Sequence, residues 1–89
     1  MRESDIRGML PNQARECLTK HFITRICKAR LLYSLRPEYG FDEVLNEFRW
    51  AENDRWYRDL LRESFDAAME SKEVKAETFR KLKERMGNT

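Results

Sequence analysis

The chain has 89 residues, 38% of them charged and 40% hydrophobic, and its formal net charge is +2. This length suits one domain that buries roughly 60 to 65% of the surface of its unfolded chain, and it excludes a large enzyme fold. The hydrophobic content includes five Phe, three Tyr and two Trp. It is enough for a real core, so the high charge indicates a solvated surface rather than disorder.

Charge is distributed in three blocks along the sequence. Residues 15–36 hold six Lys and Arg against one acid, residues 38–73 hold eleven acids against five bases, and residues 74–89 hold five bases against two acids. Opposite charges within one small chain favour a hairpin in which the blocks pair. Alternatively, each block faces a different partner.

No charged leader is followed by an apolar stretch, and no apolar run approaches the ~18 residues of a membrane span. We therefore expect a soluble, cytoplasmic protein without a membrane partner. Cys17 and Cys27 on one helix would lie ~15 Å apart, beyond the ~7 Å limit between the Cα atoms of a disulfide. Both thiols are expected to be reduced.

Helix-forming residues dominate, and no stretch alternates apolar with polar residues, which predicts an all-α fold. Gly and Pro cluster at two places, and these mark the expected turns. The prediction is a single domain, residues 1–89, folded as a small three- to four-helix bundle with one long N-terminal helix and a hairpin-like return. Its expected parts are an N-terminal arm at 1–11 and helices at about 12–35, 42–51, 53–69 and 74–86.

The first predicted helix begins after Pro11, which a first turn tolerates, and ends before Pro37. One wide apolar stripe is expected to face the bundle: Leu18, Phe22, Ile26, Ala29, Leu32 and Tyr33. A second stripe lies roughly opposite and consists of Ile23, Cys27 and Leu31. It needs its own cover, which is either another helix of the same chain or a partner, including a second subunit.

A basic strip runs between the two stripes and consists of Lys20, His21, Thr24, Arg25 and Lys28. It could contact nucleic-acid phosphates, or it could be solvated or paired with the acidic block, above all with the acids of the third predicted helix. Cys17 and His21 are suitably spaced for metal binding, but two ligands do not complete a zinc site. No metal or cofactor is expected.

The second predicted helix starts after Asp42, a good N-cap, and carries Val44, Leu45 and Phe48 inward. The helical phase then slips near residues 50–54, which predicts a kink or break. The third predicted helix is expected to bury one face: Trp56, Tyr57, Leu60, Leu61, Phe65 and Ala68.

The phase slip makes Trp50 the best candidate for an exposed tryptophan. With Arg49 and Arg55 beside it, Trp50 has the composition of a hot spot for a protein partner, the alternative being a packing residue.

The last predicted helix starts after the cap residue Ser71, and its apolar side holds Thr78, Phe79, Leu82 and Met86. It follows the third helix through a short polar turn, like the second half of a helix-turn-helix. The candidate groove contacts are then Arg80, Lys81 and Lys83. The alternative is a plain amphipathic helix, because the bases are scattered around it.

The sequence contains one His, no nucleophile elbow and no glycine-rich phosphate loop, so enzyme activity is not expected. The leading hypothesis is a non-enzymatic protein-binding module, that is an adaptor, inhibitor or regulatory protein acting through apolar and charged helix faces, as a monomer or a homodimer. One alternative is a small DNA-binding transcriptional regulator of helix-turn-helix type. Another is an assembly or structural component.

Overall fold

The computed structural model describes residues 1–87. This part of the chain forms α1 (Glu3–Arg7), α2 (Pro11–Lys28), α3 (Phe41–Glu47), a short 3-10 helix (Arg49–Ala51), α4 (Arg55–Met69) and α5 (Lys72–Gly87). Within residues 1–87 there is no β-strand, and one isolated bridge joins Leu31 to Pro37. The all-α prediction is confirmed.

The centre of the fold is the contact between α2 and α4, the most extensive between any two helices described. Apolar residues at three- and four-residue spacing give each helix a buried stripe. These stripes contain Ala14, Leu18, Phe22 and Ile26 of α2 and Leu60, Leu61, Phe65 and Ala68 of α4. The Phe22 ring meets Phe48 and Phe65 edge-on, with ring centroids 5.9 and 6.0 Å apart. Each such pair adds about 0.5 to 1.5 kcal/mol beyond burial of the rings.

The first long helix ends earlier than predicted. α2 ends at Lys28 and Ala29 has extended backbone, so the prediction of one helix over residues 12–35 is wrong. A contact from α5 accounts for this end, because Lys81 Nζ donates to the carbonyl oxygens of Cys27 and Ala29 at 2.7 and 2.5 Å. A continued helix would use both carbonyls for its own hydrogen bonds. The lysine satisfies them instead.

The loop between α2 and α3, residues 29–40, turns back on itself. Backbone hydrogen bonds and the bridge between Leu31 and Pro37 close the turn. The turn buries Leu31 but leaves Leu32 and Tyr33 at the surface, with 37% and 99% of their areas exposed. The prediction that Leu32 and Tyr33 continue the bundle-facing stripe is therefore wrong.

A break after the second helix is present, but that helix is shorter than the predicted 42–51, and its N-cap is Gly40 rather than Asp42. α3 ends at Glu47, and the 3-10 helix that follows places Phe48 and Ala51 in the core. α4 then begins at Arg55, directly after its N-cap Asp54, whose side chain accepts a hydrogen bond from Tyr57 N at 3.4 Å.

The two terminal helices are attached differently. α1 lies in the predicted N-terminal arm and buries Ile6. α5 buries only Val74 among its described residues, so it is held mainly by surface contacts. The molecule is elongated, with extents of 48 × 21 × 17 Å. None of the helices in residues 1–87 has the length and apolar character needed to cross a membrane.

Candidate protein-binding surface

An apolar groove opens where the α2–α3 loop meets α5. Its cavity has a volume of about 320 Å³, and we call it the apolar groove. Its lining residues are Leu35, Pro37, Met69, Val74, Lys75, Thr78, Phe79 and Leu82. Two of its largest side chains, Leu35 and Phe79, are 51% and 63% exposed. Large apolar side chains gathered at one exposed site are typical of interaction surfaces.

One face of α5 forms one wall of the groove. Residues four apart lie above one another on a helix, so Val74, Thr78 and Leu82 make one row that passes from the buried interior into the groove. A neighbouring row places Phe79 between two lysines, Lys75 one turn before it and Lys83 one turn after it. The wall therefore has an apolar interior and a cationic rim.

The opposite wall includes a strained residue. Leu35 has a φ of 61°, which makes it the one non-glycine residue with positive φ in the described chain. This left-handed conformation costs an L-residue about 1 to 2 kcal/mol. The exposed half of the leucine side chain gains nothing from burial within the monomer. Backbone strain of this kind clusters at functional sites.

Two cations of α5 hold the walls together. Lys81 binds the carbonyls at the end of α2, as described above, and Arg85 Nη1 donates to Leu32 O at 3.1 Å. Arg85 Nη2 also donates to the carbonyl of Leu31. Because hydrogen bonds from charged donors are worth about 1.5 to 3 kcal/mol, these contacts fix α5 against the loop.

The predicted hot spot has a different environment from the one expected. Trp50 is half-buried, with its ring against Phe48 and Tyr57 at centroid distances of 6.4 and 5.2 Å. The Arg7 guanidinium of α1 covers it at 5.1 Å. Trp56, predicted to be buried, is 53% exposed. The prediction of which tryptophan is exposed was therefore wrong.

The two arginines beside Trp50 are both exposed. Arg49 and Arg55 make no ion pair within the described part of the chain. Partner binding by Trp50, Arg49 and Arg55 stays a prediction.

The second apolar stripe of the first helix is covered by the chain itself. Leu31 is 6% exposed, and Ile23 packs against the core. Cys27 Sγ lies 3.8 Å from Glu73 O of α5. Burial raises the pKa of the Cys27 thiol, and the nearby Glu77 carboxylate adds to the rise. The same chain therefore supplies the cover, with α5 beside Cys27 and the turn of the α2–α3 loop around Leu31.

The basic strip is partly paired with the acidic block, through an acid other than those expected. Glu47 of α3 binds His21 Nε2, lies 3.4 Å from Arg25 Nε and accepts a hydrogen bond from Tyr39 Oη at 3.1 Å. Burial, followed by the charge of Glu47, raises the pKa of Tyr39 to about 12. α4 contacts other bases instead, with Glu63 at 2.9 Å from Arg15.

The remaining candidate nucleic-acid contacts divide into engaged and open groups. Thr24 Oγ1 donates to Lys20 O, and Lys20 Nζ lies 3.3 Å from the Glu16 carboxylate. Lys28 makes no ion pair in residues 1–87. In α5, Arg80 binds Glu77 and Glu84 and thereby lowers the Glu77 pKa.

Lys83 Nζ lies 5.7 Å from the centre of the Phe79 ring. Cys17 and His21 gain no third metal ligand, since the described residues contain no group of three or more His, Cys, Asp and Glu side chains placed to hold a metal.

The sequence alone did not reveal the apolar groove. Phe79 and Leu82 were predicted on the apolar side of the last helix, but Leu35 was assigned to a helix that does not extend so far. The signal that could have revealed the turn was Pro37. A proline disfavours helical backbone angles in the residue before it, which here favours a turn at residues 35–36 over the end of a long helix. Comparison of the chain with models of known families, with curated proteins and with solved structures gives no match in any of the three.

Proposed function

We propose that this protein is a non-enzymatic protein-binding module of the cytoplasm, an adaptor or inhibitor, and that the apolar groove is its binding surface. The observation that carries the proposal is Leu35. It is held in a strained backbone conformation with half of its side chain exposed, facing the same groove as the more exposed Phe79. A docked apolar side chain would bury both residues, at roughly 25 cal/mol for each Å² removed from water.

Electrostatics favours a monomer that binds a different protein over a homodimer joined through this surface. α5 carries six Lys and Arg against three Glu over residues 72–87. Two copies meeting through the apolar groove would bring Lys75 and Lys83 of both together, and like charges across an interface are destabilising.

The DNA-binding alternative has weaker support from the contacts of its candidate residues. Arg80 is held by two glutamates and Lys81 by two backbone carbonyls. A basic side chain that is already bound to a carboxylate or a carbonyl must release that partner before it can bind a phosphate. This cost reduces the free energy that counterion release contributes to DNA binding.

Site-specific photo-crosslinking tests the proposal. A photoreactive phenylalanine analogue is placed at position 79, and a matched control carries it at position 56, the exposed tryptophan at the other end of α4. In lysate of the native host, we expect a discrete covalent adduct from position 79. It should weaken strongly when Leu35→Gly is combined with the probe, because glycine removes the side chain and keeps the turn.

The proposal fails if position 56 gives the same adduct as position 79. It also fails if the adduct from position 79 is unchanged by Leu35→Gly. Circular dichroism of each variant verifies that the helices are retained.

A further inference from the structure

The apolar groove has a rim whose charge specifies a kind of partner. We infer that its occupant is an amphipathic helix of another protein, with carboxylates about two turns apart beside its apolar face. This inference rests on the proposed function and narrows it to one chemistry.

The spacing of the rim lysines gives the spacing of the carboxylates. Lys75 and Lys83 are eight residues apart on α5, which at 1.5 Å per residue is ~12 Å along the helix axis. Phe79 lies midway between them and lines the groove. A partner helix lying along α5 meets both lysines if its acids are seven or eight residues apart, since that separation repeats on one helical face.

Both lysines are available to a partner. Lys83 makes no ion pair within residues 1–87, and its ammonium lies over Phe79. Lys75 lies 3.3 Å from Glu70, but these side chains are 64% and 79% exposed. Exposed pairs of this kind are worth little and exchange partners readily.

The acids of α5 do not neutralise this rim. Glu73 lies about 120° around the helix from Phe79, counting ~100° per residue. Glu77 and Glu84 lie about 140° to 160° around it. Both are bound by Arg80 on that far side. The apolar row therefore keeps a net positive border towards the groove.

The backbone of the groove favours a helical partner over an extended one. An extended peptide gains its affinity by hydrogen bonding to a free sheet edge, and the described chain has no strand to offer one. The groove is instead formed by side chains, with room for a few apolar groups of a ligand in about 320 Å³. Side-chain anchors at three- and four-residue spacing fit this shape, which is the helix-in-groove mode.

Two synthetic peptides test the inference. Each is an 18-residue helix with leucines along one face, and the two differ only at two positions seven apart beside that face, which are Glu in one peptide and Lys in the other. Fluorescence anisotropy measures binding to the full chain. Because the Glu peptide gains two exposed ion pairs where the Lys peptide meets two like charges, we expect the Glu peptide to bind about fivefold tighter or more.

Charge-reversal variants supply the matched controls. Replacing Lys75 and Lys83 by Glu should reverse the order of the two peptides. Arg58→Glu should leave the order unchanged, because Arg58 is exposed, unpaired within the described residues and eleven positions before Met69 on α4. The preference of the wild type should shrink as salt is raised.

Other results would overturn the inference. Equal affinity for both peptides, unaffected by reversal at Lys75 and Lys83, removes the requirement for acids. If neither peptide binds while position 79 still forms its adduct, the acidic helix is wrong and the proposed function stands. A dimer in light scattering that Phe79→Asp dissociates would place a second copy in the groove. If the protein binds anionic vesicles more tightly than the Glu peptide, and Phe79→Asp abolishes that binding, the occupant of the groove is a lipid surface instead.

Discussion

Substitutions at Leu35 test whether this residue lies in a left-handed turn, as in the structure, or in a helix. The two cases predict stability differences of opposite sign between the Gly and Ala variants. The test compares the free energies of unfolding of Leu35→Gly and Leu35→Ala. Both variants lose the leucine side chain, so the contribution of its buried half cancels in the comparison. What remains is the preference of the backbone for glycine or alanine at that position.

The magnitude follows from the observed conformation. At φ 61°, alanine keeps the left-handed strain of about 1 to 2 kcal/mol, whereas glycine has none. Glycine loses about 0.5 to 1 kcal/mol more conformational entropy on folding. The Gly variant of residue 35 should therefore be more stable than the Ala variant by about 0.5 to 1 kcal/mol. In a helix interior, alanine would be favoured by about 1 kcal/mol.

Urea denaturation followed by far-ultraviolet dichroism measures the difference. The two unfolding curves should have the same slope, because both variants expose nearly the same surface, and the midpoint of the Gly variant should be higher. As a matched control, Ala and Gly replacements are made at Arg58 within α4, where alanine should be the more stable. If alanine is also the more stable residue at position 35, the left-handed turn is refuted.

Two further predictions concern the thiol of Cys27, which lies against α5, and the phenol of Tyr39, which binds Glu47 of α3. Lys81→Ala removes a cation that holds α5 against α2, so Cys27 should react faster with a thiol reagent. Cys17 serves as the internal reference. Equal acceleration of both thiols would indicate general unfolding instead. Tyr39 has its pKa raised from 10 to about 12, so the folded state keeps the proton longer than the unfolded one. The stability that this raised pKa contributes is complete below pH 10 and is lost as pH rises towards 12. The Tyr39→Phe variant should lack this loss in alkaline denaturation. If the variant loses as much stability as the wild type, Tyr39 is not the group responsible.

The central helices were predictable because their determinants are local. The apolar spacing of Leu60, Leu61 and Phe65 defines one face of α4, and Asp54 is a cap residue one position before it. The break before α4 also followed from local phase, since a continuous helix would have turned its apolar residues to different sides. Such signals lie within a few residues of what they determine.

The end of α2 was not predictable in this way. The segment from Lys28 to Leu35 contains good helix formers, and the carbonyls left free where the helix ends are bound by Lys81, more than fifty residues away in sequence. Tertiary contacts of this range override weak propensities. The assignment of the tryptophans failed for a related reason, because Trp50 is covered by Arg7 from α1, a helix in the segment predicted as an N-terminal arm.

The same contacts link the unpredicted part of the fold to the proposed function. α5 adds one buried side chain, Val74, to the described core, so its position depends on charged hydrogen bonds to carbonyls that α2 leaves free by ending early. An element with so little buried apolar surface belongs to the least stable part of a fold, where binding surfaces are commonly found. A partner that fills the apolar groove would contact both α5 and the loop, and would therefore stabilise the arrangement that creates its site.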